Sequence, residues 1–383
     1  MRIEAIQCYA RCIGARPQLL VKVVSESGQY GWGESGLTGQ ESSVESMIGS
    51  LAKLLQGTRV LDTSDLLRRA NHAWYFEGGR ALMAAVSAID IALHDLIGKI
   101  AGLPVSDLIG GRTRREVPLF YSLDMTSLDL LQARAVTLVG LGWRALRLTV
   151  CAADDSDGKV FEPEIEAIRA AQACRALRAA VGAEVLLGID LHHRFLPADV
   201  LRFLAATGPA VLDFVEEPIN AHSIAAYRNL RAQSGVAFAV GEEFSTRHEL
   251  APYLEAGAID YCRPDIALIG GITELRKVAA LCETRYVPLL LHHPLGPVAL
   301  AANLHFAMAT PGVRYVEYQE PKDRDPLLDT IFPARVKVGN GWAVPSDAPG
   351  LGIDVDETQL AALPQGSWVA PSLAGHDGRL IPW

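Results

Sequence analysis

Acidic or histidine residues close a series of apolar runs at nearly even intervals: Asp190, Glu216, Glu242, Asp265, His292 and Glu317, with gaps of 26, 26, 23, 27 and 25 residues. One strand, one helix and two short loops fill such an interval, the repeating unit of a parallel α/β barrel. If each charged residue ends a strand, all six side chains meet on one rim. That rim is where barrels of this type place their chemistry. The spacing therefore points to an active site and predicts a modified TIM-type (β/α) barrel with an added domain.

The 383 residues leave room for that domain, since a barrel alone takes about 250. Residues 3–10, 18–25 and 28–35 read as strands, and 41–56, 63–75 and 81–99 as helices, with Leu82, Ala85, Val86, Ile89 and Leu93 on one apolar face. Strands followed by helices make an α+β unit, which gives an N-terminal capping domain over 1–114. From Val117 strands alternate with helices, and eight strand candidates end at Val313–Tyr318, so the barrel is assigned 115–330. No last helix is visible after Tyr318, because Glu320-Pro321-Lys322-Asp323 reads as loop. Residues 331–383 are expected to form a hairpin with an Asn340-Gly341 turn and a tail that packs back on the capping domain.

A formal charge of −9 and the lack of a basic stripe argue against nucleic acid. Six cysteines without CxxC spacing read as reduced core thiols. The start lacks a signal-peptide core, and the uncharged stretch from Arg285 to Arg314 is broken by prolines and histidines, as expected of a buried strand and helix. The chain is expected to be cytoplasmic, with no membrane partner.

Asp190, Glu216 and Glu242 on successive strands offer three hard oxygen donors, the set that suits one Mg²⁺. Singly, each carboxylate is explained better by a helix cap or an arginine. Together they repel one another unless a cation joins them. Pleat register favours Glu216 over Glu217 and Glu242 over Glu243, and it puts His192, then Arg194, on the Asp190 face. Opposite them, Asp265 beside His292 fixes the tautomer of that imidazole and raises its basicity, as a general base requires. Glu317 completes the ring, and Arg147 and Thr149 are expected to contact a substrate carboxylate or hydroxyl. A cation between two histidines suits proton abstraction next to a carboxylate, followed by reprotonation or by loss of a β-hydroxyl.

The chain resembles the enolase superfamily in its mandelate racemase/muconate lactonizing enzyme branch, and within it the D-galactonate dehydratase-like acid sugar dehydratases. The likeness rests on Gly31-Trp32-Gly33-Glu34, Tyr75-Phe76-Glu77-Gly78-Gly79, Ile89-Asp90-Ile91-Ala92-Leu93-His94-Asp95, Asp190-Leu191-His192-His193-Arg194, Phe214-Val215-Glu216-Glu217-Pro218, Pro264-Asp265, and His292-His293-Pro294-Leu295-Gly296. It implies Asp190, Glu216 and Glu242 as Mg²⁺ ligands, His292 with Asp265 as base, and His192 as the acid that releases the C3 hydroxyl. Glu317 is implied to bind a carboxylate oxygen. The capping domain would select a sugar acid or hydroxy acid through loops that include Arg16, Gln40 and Tyr75, and the chain would form a homo-oligomer, from dimer to octamer. Leu191 and His193 stand where the dehydratases carry Phe and Gly. Arg147-Leu148-Thr149 replaces the Lys-x-Lys of the racemases, and a guanidinium is a poor base.

A racemase, epimerase or cycloisomerase on the same metal site is the alternative reading. A metal-dependent hydrolase lacks its usual His-x-His, since the first barrel strand has Phe120-Tyr121-Ser122. A non-catalytic sugar-acid binding barrel comes last.

Overall fold

The computed structural model describes residues 1–14, 16–75, 78–150, 160–294, 296–319, 325–370 and 372–381. The expectations for Phe76, Glu77, Cys151, Leu295 and Glu320-Pro321-Lys322-Asp323 lie outside the described residues. The first unit is an antiparallel sheet of β1 (Ile3–Ile13), β2 (Arg16–Ser25) and β3 (Tyr30–Ser35) in that order. Helices α1 (Glu41–Leu55), α2 (Thr63–Ala73), α3 (Arg80–Ala101) and α4 (Val105–Leu108) follow. Gly31 and Gly33 let α3 lie directly on β3, because a Cβ at either would collide with the Ala92 or Ala88 carbonyl oxygen. That close approach buries α3 on nearly every side, and its polar residues are matched in turn. Asp90 accepts hydrogen bonds from Thr273 N and Oγ1, and Asp95 from Trp32 N and Leu351 N.

The barrel runs β4 (Val117–Asp124), α5 (Leu128–Gly140), β5 (Ala145–Thr149), α6 (Pro163–Val181), β6 (Leu186–Asp190), α7 (Pro197–Thr207), β7 (Phe214–Glu216), α8 (Ile224–Ala232), β8 (Ala237–Val240), α9 (Arg247–Glu255), β9 (Tyr261–Cys262), α10 (Gly271–Glu283), β10 (Leu289–Leu291), α11 (Pro297–Ala309) and β11 (Val313–Tyr318). All these strands pair in parallel in chain order, and β11 returns to β4 through Val316↔Leu119, so the sheet closes. Local chemistry starts the helices. Pro163 opens α6, Ser223 Oγ accepts Ala226 N before α8, and Thr246 with Glu249 makes a reciprocal capping box on α9.

Phe120, Ala145, Phe214, Ala239 and Leu290 fill the barrel interior, with the two phenylalanine rings edge to face at 6.5 Å. Gly188 on β6 makes space for the Phe214 ring. This apolar plug closes the floor, so a polar site can exist only above it, at the C-terminal ends of the strands.

A helix α12 (Asp325–Ile331) does follow β11, although the preceding residues read as loop. The Asn340-Gly341 turn forms with both residues at positive φ, as a type I′ hairpin needs. Only Gly339 and Trp342 bridge across it, however, because β12 (Trp342–Ala343) pairs with β4 instead. The chain ends in α13 (Glu357–Ala361), β13 (Leu373–Ala374) and β14 (Leu380–Ile381). Before and through α13 it lies on the first domain: Asp354 accepts from Trp32 Nε1 at 3.0 Å, and Glu357 pairs with Lys22 and Tyr9.

Candidate active site

Two arginines stand on the apolar plug. Arg147 from β5 and Arg263 just after β9 hold their guanidinium carbons 5.6 and 5.2 Å from the centre of the Phe120 ring, both buried. Arg147 reaches Glu216 at 2.6 Å, Glu317 at 2.8 Å and Asp190 at 3.3 Å. Arg263 reaches Glu317 at 2.6 Å and Glu216 at 2.7 Å. Desolvation disfavours both charges, but the ring of carboxylates outweighs it and holds both arginines protonated. Arg147 therefore underpins the acidic ring, its guanidinium engaged by Glu216, Glu317 and Asp190. Thr149 stays beside it, Oγ1 at 3.3 Å from Nη2.

Above the arginines the three expected metal ligands converge: one ligand atom each from Asp190, Glu216 and Glu242 lies within 4.8 Å of the others. Glu216 Oε2 and Glu242 Oε2 are buried and accept no hydrogen bond, and the buried Asp190 Oδ2 meets only His192 at 3.0 Å and Arg147 at 3.3 Å. Unmet acceptors on adjoining buried carboxylates are costly unless a cation answers them. Burial, together with Asp190 and Glu242, pushes the Glu216 carboxyl well up even against two guanidiniums. Asp190 is held low, with His192 and Arg147 overcoming its burial. All-oxygen donors, excess negative charge and orphaned lone pairs fit a hard divalent ion such as Mg²⁺.

Glu217, the rejected neighbour, turns away at φ +37° and accepts Gly241 N at 2.8 Å. His192 does lie beside the ligands, Nε2 at 3.0 Å from Asp190 Oδ2, but not through strand register. Strand β6 stops at Asp190, and His192 and His193 take left-handed φ values of +48° and +46°. Arg194 accordingly leaves the expected face. It donates to the Val150 carbonyl at 2.5 Å and approaches His192 Nδ1 at 3.3 Å.

Across the ring, His292 Nδ1 meets Asp265 Oδ2 at 2.9 Å, while its Nε2 is 3.7 Å from Glu242. Burial favours the neutral ring, but Glu242, Asp265 and Glu317 prevail and raise its pKa to about 9. His293 points elsewhere, its Nε2 at 3.0 Å from the Gly296 carbonyl. Glu317 is saturated: it accepts Ser122 Oγ at 2.9 Å, both arginines, and His293 N at 3.3 Å. Burial opposes its ionisation, yet Arg147 and Arg263 hold the carboxylate charged, well below the usual range.

Among the cap residues, Arg16 lies 4.6 Å from the Trp368 ring and within the field of Asp124 at the end of β4, which sets it by the barrel mouth. Gln40 is exposed at the start of α1. Tyr75 is 88 % exposed, with a left-handed backbone at φ +64°. Arg263 was not anticipated from sequence, although it stands two residues before Asp265. Ser122 and Glu34 were missed as well; the latter ends the Gly-Trp-Gly-Glu motif.

Residues 131–359 match the family model described as enolase C-terminal domain-like, and residues 3–110 match the mandelate racemase/muconate lactonizing enzyme N-terminal domain. The chain belongs to the enolase superfamily. It is 30% identical over 376 residues to a D-galactonate dehydratase of Cronobacter sakazakii, covering 95% of this chain and 96% of that one. It is also 30% identical over 406 aligned positions to a D-mannonate dehydratase of Caulobacter vibrioides, covering all of both. A solved enolase of Pantoea ananatis with bound D-gluconate and Mg superposes with a TM-score of 0.91 at 28% identity, covering 99% of both chains. As an enolase-superfamily chain it carries its polar ring at the rim that the capping domain faces.

Proposed function

We propose that this chain is a Mg²⁺-dependent acid sugar dehydratase. The observation that carries the reading is the placement of two imidazoles on opposite sides of one carboxylate cluster, His192 against Asp190 and His292 against Glu242. Asp265 accepts the Nδ1 proton of His292 and leaves Nε2 as the basic atom facing the ring. His292 takes the C2 proton, and the electron pair moves toward the substrate carboxylate. As the C3–O bond breaks, His192 gives its proton to the departing hydroxyl, and the enol product rearranges to a 2-keto-3-deoxy acid.

A divalent ion held by Asp190, Glu216 and Glu242 supplies electrostatic stabilisation of the charge that builds on the carboxylate oxygens. Arg147 and Arg263 keep Glu216 and Glu317 in position beneath it. The relatives named D-galactonate dehydratase and D-mannonate dehydratase support an acid sugar as substrate. Equal identity to both leaves the sugar's stereochemistry to the cap loops, where Arg16 is the cation by the mouth.

The test is a screen of purified protein with Mg²⁺ against aldonic and aldaric acids, read by semicarbazide detection of 2-keto-3-deoxy products. Product formation that vanishes in His292→Asn is expected. Solvent deuterium entering C2 without loss of water would instead establish an epimerase. Ligand binding with no turnover would establish a binding protein.

A further inference from the structure

The strands that carry the base are the most weakly laddered in the barrel. Five residue pairs join β5 to β6 and three join β6 to β7 and β7 to β8. Two join β8 to β9, and a single pair, Leu289↔Cys262, joins β9 to β10. Beyond it the two strands pair again at the isolated bridge of Asp265 and His292, where His292 N donates to the Pro264 carbonyl at 3.2 Å. A dyad on such short strands needs a second support, because misplacement by about 1 Å can cost a hundredfold in rate.

The capping domain provides it. Glu34, at the end of β3 and fully buried, accepts Gly296 N and Ala299 N, both at 2.9 Å. It thus caps α11 from another domain and fixes the connection that leaves His292. The fit depends on glycine at 296, since a Cβ there would run into Glu34 Oε1 and Gln18 Oε1. Two residues on, Gly36 N donates to the Ala267 carbonyl at 3.1 Å, and Ala267 N donates to Asp265 Oδ1 at 2.7 Å. One short stretch of the cap, Glu34 to Gly36, therefore grips the loops behind both members of the dyad.

We infer that Glu34 is a positioning residue for the general base, through which docking of the cap aligns His292 with Asp265; the inference rests on the dehydratase reading for its kinetic arm only. Burial pushes the Glu34 carboxyl up to about 7, while the backbone N–H groups of Ala299, Gly296 and Val298 at the start of α11 draw it down.

The experiment compares wild type with Glu34→Gln, which keeps the side chain's size but presents an NH₂ to one of the two donors, and with Gly296→Ala, which blocks the same contact from the barrel side. Amide exchange read by mass spectrometry with residue resolution should accelerate roughly tenfold or more at Gly296 and Ala299, and also at His292 and 267–269, while 186–190 stays unchanged. In turnover, kcat should fall about 10²-fold with KM and Mg²⁺ affinity within about twofold. Unchanged exchange at His292 and 267–269 in folded variants would overturn the role, and so would full kcat or a loss carried by KM. If the wild-type protein dehydrates no sugar acid, the functional reading falls and the exchange measurement alone still decides the role of Glu34.

Discussion

The two halves of the polar ring are built differently. Asp190 and Glu216 end strands that pair over several residues, and Arg147 and Arg263 brace Glu216 from the plug below. Asp265 and His292 stand past the ends of strands joined by one pair, and the cap completes their support. The proposed metal half is thus a property of the barrel, and the proposed base half a property of the barrel with its cap. The lesson is that a barrel rim can separate rigid charge placement from adjustable acid–base chemistry.

The largest expected effects fall on the metal half. Chelation should abolish turnover and added Mg²⁺ restore it, and Glu242→Gln should lower kcat/KM roughly 10³-fold or more, measured with the substrate identified by screening. His292→Asn should lower kcat about 10²–10⁴-fold while Mg²⁺ affinity stays at the wild-type value, which would show that the halves separate. If cation affinity fell in parallel, the division would be wrong. Arg263→Met should destabilise the fold by about 3–5 kcal/mol in urea titration, because it leaves Glu216 and Glu317 buried with half their compensation. Unaltered stability would mean the arginine pair does not brace the ring.

The smallest effect concerns α11, the helix that Glu34 caps. Its His305 is buried, with Nδ1 facing Ser106 N at 3.3 Å and Nε2 facing the Leu351 carbonyl at 3.2 Å, so the neutral Nε2–H tautomer satisfies both. Burial drives its pKa down to about 4 from 6.5. The sign follows: the unfolded chain takes up the proton first, so this group's stabilisation is present above pH 6.5 and is lost as pH falls toward 4. Wild type should lose up to about 3 kcal/mol more than His305→Asn across that window. Parallel curves for the two proteins would contradict the buried neutral ring.

Much of this was legible in sequence because the repeat length reflects a whole strand–helix unit, which tolerates errors at element ends. Asp190, Glu216, Glu242, Asp265 and His292 converge even though β9 keeps only two residues of the seven expected from Tyr261 to Ala267. Pleat register failed where the backbone leaves the strand, as at His192 and Arg194, since histidine is enriched at positive φ but too seldom adopts it for residue type to place the turn at His192 and His193. Arg147 was legible as a site residue but not in its contacts. Its partner Arg263 was invisible because a buried guanidinium is recognised by its carboxylates, which lie 54 and 47 positions away at Glu317 and Glu216. Glu34 was hidden for the same reason: its partners lie in the other domain.

Calorimetric titration of Mg²⁺ into wild-type and Glu216→Gln protein reaches the main claim most directly. One ion per chain should bind the wild type, and the variant should lose at least about two orders of magnitude in affinity. Equal binding by both proteins, or no binding by the wild type, would contradict a cation site on these three carboxylates.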